Sequence, residues 1–128
     1  MYQIDILSGT PVYEQIVEQT EQFVIQGILK PGDQLPSLRS LSLQLSVNPN
    51  TIQKAYSELE RRGITRSAAG RGSFIPADVS AIRYSYRRKK RDELKDVLLQ
   101  LRAAGFTRAE LDSLADELCF PKEEHAND

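Results

Sequence analysis

In the first half of the chain the apolar positions recur three times with the period of a helix, and each recurrence is bounded by residues that start or stop helices. Tyr13, Ile16, Val17, Phe23 and Val24 fall at offsets of 3, 4, 10 and 11, one face of a helix that Thr10 is placed to cap, with Pro11 at the first helical position and Gly27 at its end. Pro31-Gly32-Asp33 has the chemistry of a turn, and Leu35 is extended because the residue before a proline avoids the helical region. Ser37 then caps a second helix with Leu38, Leu41 and Leu45 facing inward. Ser46 and Val47 turn the chain, and Asn48-Pro49 opens a third helix by the same cap-then-proline signature. In that helix Ile52, Ala55, Tyr56 and Leu59 lie at offsets of 3, 4 and 7 and form the buried stripe, so Asn50, Thr51, Gln53 and Lys54 point outward. Gly63 closes it.

The period then changes. Ile64 to Ser67 and Ser73 to Ile75 read as two short strands joined by the loop Ala68-Ala69-Gly70-Arg71-Gly72, a small hairpin. After Pro76 a long helical stretch runs over residues 79–104, with Leu94, Val97, Leu98 and Leu101 as its apolar stripe and Gly105 as its stop. Thr107-Arg108-Ala109-Glu110 has the spacing of a capping box and opens a last helix with Leu111, Leu114 and Leu118 on one side. The expected fold is therefore mainly α: a winged helix-turn-helix of three helices plus a β-hairpin wing over residues 1–77, a two-helix segment over 78–121, and an acidic tail over 122–128. Two short helices bury little between themselves, so the stripe Leu94, Val97, Leu98, Leu101, Leu111, Leu114 and Leu118 is expected to pack on a second copy.

Charge sharpens this reading. The formal net charge is only −1, yet residues 37–91 carry twelve bases against three acids, a local balance of +9, while residues 1–36 hold five acids against Lys30. A basic middle between acidic ends suits a protein that docks one face on a phosphate backbone, where neutralised phosphates release condensed counterions. Within that middle the residue types match what a duplex offers. Ser37 and the free N–H groups behind it suit a phosphate, and the two-pronged guanidinium of Arg39 suits a phosphate or the O6/N7 edge of guanine. Asn50 and Gln53 carry amides that pair with adenine in the same manner, and Thr51 suits a phosphate or a thymine methyl. Lys54 suits a phosphate; Gly70 and Gly72 allow close backbone approach, and Arg71 between them is placed for the narrow groove. Each has a plainer reading: Ser37 and Asn48 serve as caps, and Arg71 is a solvated loop residue. The run Arg87 to Arg91 spreads around most of a helix and reads first as solvated surface, with contact to flanking DNA as the sharper alternative.

The run Pro11-x-Tyr13-x-Gln15-Ile16, Gly27-x-Leu29-x-Pro31-Gly32-x-x-Leu35-Pro36-Ser37-x-Arg39-x-Leu41, Val47-Asn48-x-x-Thr51-Ile52-x-x-Ala55-Tyr56-x-x-Leu59-Glu60-x-x-Gly63 and Gly70-x-Gly72-Ser73-Phe74-Ile75 resembles the GntR family of bacterial transcription regulators. Asn48-Pro49-Asn50-Thr51, followed by a short C-terminal segment, resembles the YtrA subfamily. The resemblance implies operator binding as a homodimer, usually as a repressor and often of ABC transporter genes. It also implies DNA contacts at Arg39, Asn48, Asn50, Thr51, Gln53, Gly70 and Arg71. The chain departs from the family pattern at Ser42, where alanine is usual, and at Thr65, where an apolar wing residue is typical and a looser wing is expected.

Other classes fit poorly. There is no nucleophile beside a placed base, no phosphate-cradling loop, and the single histidine, His125, lies in the tail; Gly70-Arg71-Gly72 is too short for a nucleotide fingerprint, and Asp116-Glu117 and Glu123-Glu124 read as solvated pairs. An enzyme is not expected. Cys119 and His125 do not make a zinc ligand set, so neither metal nor cofactor is expected, and Cys119 reads as a reduced thiol. No apolar run suits a membrane span or an export signal, which gives a cytoplasmic expectation. A winged helix used on protein or RNA is the remaining competitor, and it leaves the Asn50, Thr51, Gln53 edge unexplained. A small-molecule effector would have to bind at a dimer interface or between modules, since two helices enclose little volume.

Overall fold

The computed structural model describes residues 1–118 and 120. Cys119, His125 and the acidic tail 122–128 lie outside the described residues. Along the chain come α1 (Val12–Ile25), α2 (Leu38–Leu45), α3 (Pro49–Arg61), β1 (Arg66–Ala68), β2 (Gly72–Phe74), α4 (Ser80–Ala103) and α5 (Arg108–Glu117). The order is that of a winged helix-turn-helix followed by two helices. Among the described residues no helix is long and apolar enough to cross a membrane.

The chain forms two compact units, the first being Met1–Arg87. Its core is drawn chiefly from three helices: Ile16, Val17 and Val24 from α1, Leu41 from α2, and Ile52, Ala55 and Leu59 from α3. Ile64 and Ile75 flank the hairpin, and Ile82, from the opening turns of α4, completes this core. The expected helical stripes are the buried ones, with Tyr13, Phe23, Leu38 and Leu45 packed half-buried at their margins.

Local signals place the helix ends. The Ser37 hydroxyl accepts from the Ser40 N–H at 3.0 Å and the Asn48 Oδ1 from the Asn50 N–H at 2.7 Å, so both residues are true caps. At α1 the expectation is off by one residue. Pro11, not Thr10, is the N-cap, and it supplies no side-chain cap bond. Its carbonyl takes the first helical bond, from the Gln15 N–H at 3.1 Å, while the Thr10 carbonyl accepts instead from Gln15 Nε2 at 2.8 Å. The tight turn between α2 and α3 puts Ser46 in the left-handed region at φ 54°, and the buried Ser42 hydroxyl holds it by donating to the Val47 carbonyl at 2.6 Å. Serine at position 42 thus fastens the helix-turn-helix corner.

The wing is a two-stranded antiparallel hairpin in which Arg66 pairs with Phe74, Ser67 with Ser73 and Ala68 with Gly72. The strands sit one to two residues tipward of the expected spans, which narrows the free loop to Ala69, Gly70 and Arg71. The segment after α1 joins the hairpin as a short third edge: Leu35 N–H donates to the Ser73 carbonyl at 2.9 Å and Ile75 N–H to the Asp33 carbonyl at 2.8 Å. Thr65, just before β1, is buried. Residues 1–9, silent in the sequence patterns, pack along α1 through Tyr2, whose hydroxyl pairs with Thr20 Oγ1 at 2.7 Å and whose ring meets Phe23 edge-on at 5.2 Å.

The second unit begins at Arg88 and holds the rest of α4 together with α5. Thr107 and Glu110 form the full capping box expected at the start of α5. The burial expected for the leucine stripe is not met within one chain. Leu94 is 54%, Val97 47%, Leu98 38%, Leu114 42% and Leu118 69% exposed, while Leu101 and Leu111 are half-buried. Two short helices have too little surface to cover one another.

Candidate nucleic-acid interface

The start of α2, the outer face of α3 and the wing meet at a cleft of about 600 Å³. Five residues singled out in the sequence, Ser37, Gln53, Gly70, Arg71 and Gly72, line its walls together with Gln34, Tyr56, Ser57 and Glu60. Arg39, Asn48, Asn50, Thr51 and Lys54 are not among its lining residues. Arg39, on the first turn of α2, is exposed, as are Asn48 and Asn50 where α3 begins, with Thr51 half-buried beside them. Among the described residues the side chains of Arg39, Asn50, Thr51 and Arg71 make no hydrogen bond or ion pair, so their donors and acceptors stand ready for a ligand.

Other predicted contacts are partly engaged within the chain. Ser37 Oγ and Asn48 Oδ1 are used as caps, which leaves the serine hydroxyl proton and the asparagine amide N–H₂ to reach outward. Gln53 Nε2 donates to Ser57 Oγ at 3.1 Å, leaving its carbonyl oxygen open. Lys54 turns toward α1, its ammonium 4.1 Å from the centroid of the Tyr13 ring. That contact holds the base at the α1–α3 seam instead of extending it from the leading edge.

The two wing glycines divide in role. Gly70 has φ +72° and open space around it, as a loop approaching a large partner needs. Gly72 serves the fold as well: at φ +116° a Cβ there would lie 2.7 Å from Gln34 Nε2. The Gln34 amide occupies that space and donates to the Arg71 carbonyl at 2.6 Å. Gln34 was invisible to periodicity and composition, being one polar residue between a turn and an extended dipeptide.

Two bases of the middle segment are engaged within the chain. Arg61 and Arg62 both bond the Glu58 carboxylate, at 2.5 and 2.7 Å, and Arg62 reaches Glu14 of α1 at 3.4 Å. The hydrogen bonds from Arg61, then Arg62, hold the Glu58 carboxyl down at about 2. Arg62 thereby ties the end of α3 to α1, while Arg61 pairs within its own helix. Within the cleft the single carboxylate, Glu60, accepts from the Ser67 hydroxyl at 2.6 Å and fastens the base of the wing to α3. Tyr56, on the buried side of α3, donates to the Pro36 carbonyl at 2.7 Å, one residue before the cap of α2.

Comparison with known proteins follows the same outline. The family of bacterial regulatory proteins called gntR matches residues 12–75. The HTH-type transcriptional repressor YtrA of Bacillus subtilis is 42% identical over 106 residues, 82% of this chain and 82% of its own. A transcriptional regulator from Oenococcus oeni superposes with a TM-score of 0.77 at 30% identity, over 92% of this chain and 98% of its own. The DNA-binding domain of AraR in complex with operator ORX1 superposes with a TM-score of 0.51 at 31% identity, over 59% of this chain and 92% of its own.

Proposed function

The chain belongs to the GntR family of bacterial regulatory proteins, and from that premise we propose that it is a homodimeric repressor that reads an inverted-repeat operator. The observation that carries the reading is the state of the α3 edge. The side chains of Asn50 and Thr51 where α3 begins, like that of Arg71 on the wing, have no hydrogen-bond or ion-pair partner within the described residues and are open to a ligand. In this reading α3 enters the major groove, where Asn50 and Gln53 read base edges, and the wing tip carries Arg71 to the adjacent groove. Arg39, Ser37 and the amide of Asn48 hold the phosphates between them.

Dimer formation rests on the apolar stripe of α4 and α5. Leu94, Val97, Leu98, Leu114 and Leu118 are too exposed for a lone chain, and a second copy offers the matching surface. Two-fold symmetry then sets half-sites about one or two DNA turns apart. Repression is proposed from the likeness to the YtrA repressor, and ABC transporter genes as its targets from the resemblance to that subfamily. The domains are proposed as a DNA-reading module over 1–77, a dimerisation segment over 78–121 and a tail beyond, in the cytoplasm.

Selection of duplexes from a random pool by the purified protein tests this directly. Enrichment of an inverted repeat, bound by a species sedimenting as a dimer, is expected. A pool that stays random, or equal retention of single-stranded RNA, would overturn it.

A further inference from the structure

We propose that Gln34 is the positioning residue of the wing: its side-chain amide, held by the strand-like linker between α1 and α2, sets where Arg71 is presented. The inference rests on the reading that Arg71 meets DNA. A hairpin with three residues per strand has little stability of its own, and within its tip the Arg71 N–H donates to the Ala68 carbonyl at 2.9 Å. Among the described residues, the Gln34 amide is the one side chain from outside the wing that bonds the 69–71 loop, by its 2.6 Å hydrogen bond to the Arg71 carbonyl.

The backbone prepares this contact. Gln34 bridges Phe74, and the flanking bonds Leu35 N–H to Ser73 and Ile75 N–H to Asp33 fix the linker against β2 on both sides of it. From that anchored Cα the side chain runs toward the tip, past position 72. A Cβ at Gly72 would sit 2.7 Å from the amide nitrogen, so a side chain there would push the Gln34 amide off its present course. The missing side chain at Gly72 and the donor at position 34 thus act together. They restrain the residue whose guanidinium must find a groove, and ordering the tip before binding removes an entropic cost from association.

A double-mutant cycle on the full chain tests this, with a duplex selected by the wild-type protein as probe and fluorescence anisotropy as readout. Arg71→Ala is expected to weaken binding at least tenfold. Gln34→Ala is expected to weaken it about three- to tenfold in the wild-type background and less than twofold in the Arg71→Ala background, because the positioned group is then already gone. Its thermal midpoint should stay close to wild type, since the bond is exposed. If Arg71→Ala binds like wild type, the reading of the wing as a DNA contact fails. If Arg71→Ala weakens binding and Gln34→Ala does not, or if Gln34→Ala costs the same in both backgrounds, the positioning role is wrong.

Discussion

Replacing Tyr56 by phenylalanine removes one oxygen and isolates the joint between the recognition helix and the helix before it. Tyr56 is 9% exposed, and its hydroxyl donates at 2.7 Å to the carbonyl of half-buried Pro36. The ring and its packing survive the change, so the loss is that of one neutral hydrogen bond plus the partial desolvation of an acceptor left behind, about 1–2 kcal/mol. For a cooperative unit the size of Met1–Arg87, each kcal/mol lowers the thermal midpoint by about 4–8 °C, so a drop of about 4–16 °C is expected at neutral pH. The substitution also has an alkaline signature. Burial, with the nearby Tyr2 adding to it, pushes the Tyr56 phenol above its ordinary value of 10.0. A folded-state pKa raised above the unfolded one gives stabilisation that is complete below about pH 10 and lost as the pH rises above it. Wild-type protein should therefore lose stability steeply above that pH and Tyr56→Phe less steeply. Melts followed by circular dichroism from neutral to alkaline pH provide both numbers. A midpoint within about 1 °C of wild type at pH 7, with an unchanged alkaline slope, would refute the account of this joint.

Three further outcomes are expected. Leu98→Asp or Leu101→Asp should give a folded monomer with weak operator affinity, and a variant that still sediments as a dimer would remove the α4 stripe from the interface. Glutamine at all five of Arg87, Arg88, Lys89, Lys90 and Arg91 should lower affinity and flatten its salt dependence by about 0.9 in slope for each phosphate that these bases neutralise, whereas an unchanged slope would return the run to solvated surface. Glu58, held down at about 2, stabilises the fold above its ordinary value of 4.5, and that stabilisation is lost as the pH falls toward about 2. Glu58→Gln should blunt the acid limb of a stability-against-pH profile, and identical acid limbs would show that the Arg61 and Arg62 contacts carry no net stability.

Elements with a strong local cause were legible in the sequence. Asn48-Pro49, Ser37 and the Thr107–Glu110 box each combine a cap with a period of apolar residues, and those helices begin where the caps stand. Thr10 had the same local chemistry and misled, because the Gln15 side chain takes its carbonyl and Pro11 closes the first turn in its place. What stayed illegible was long-range. Gln34 reaches Arg71 across 37 positions, Lys54 finds the face of Tyr13, and Tyr2 packs on Phe23, all pairings that no local pattern announces. The same holds for Arg62, which belongs numerically to the basic middle yet reaches Glu14 of α1 across 48 positions. Ser42 shows the reverse, a departure from the family pattern whose hydroxyl fastens the turn it borders.

The central claim is that the amides opening α3 read base edges. Its most direct measurement is the ratio of affinities for the selected operator and for random duplex, taken at one salt concentration for wild type and for the Asn50→Ala, Gln53→Ala double variant. The account predicts a wild-type ratio of at least about 10³ that falls at least tenfold in the variant, with affinity for random duplex nearly unchanged. A variant that keeps the full ratio, or a wild type that shows none, would contradict it.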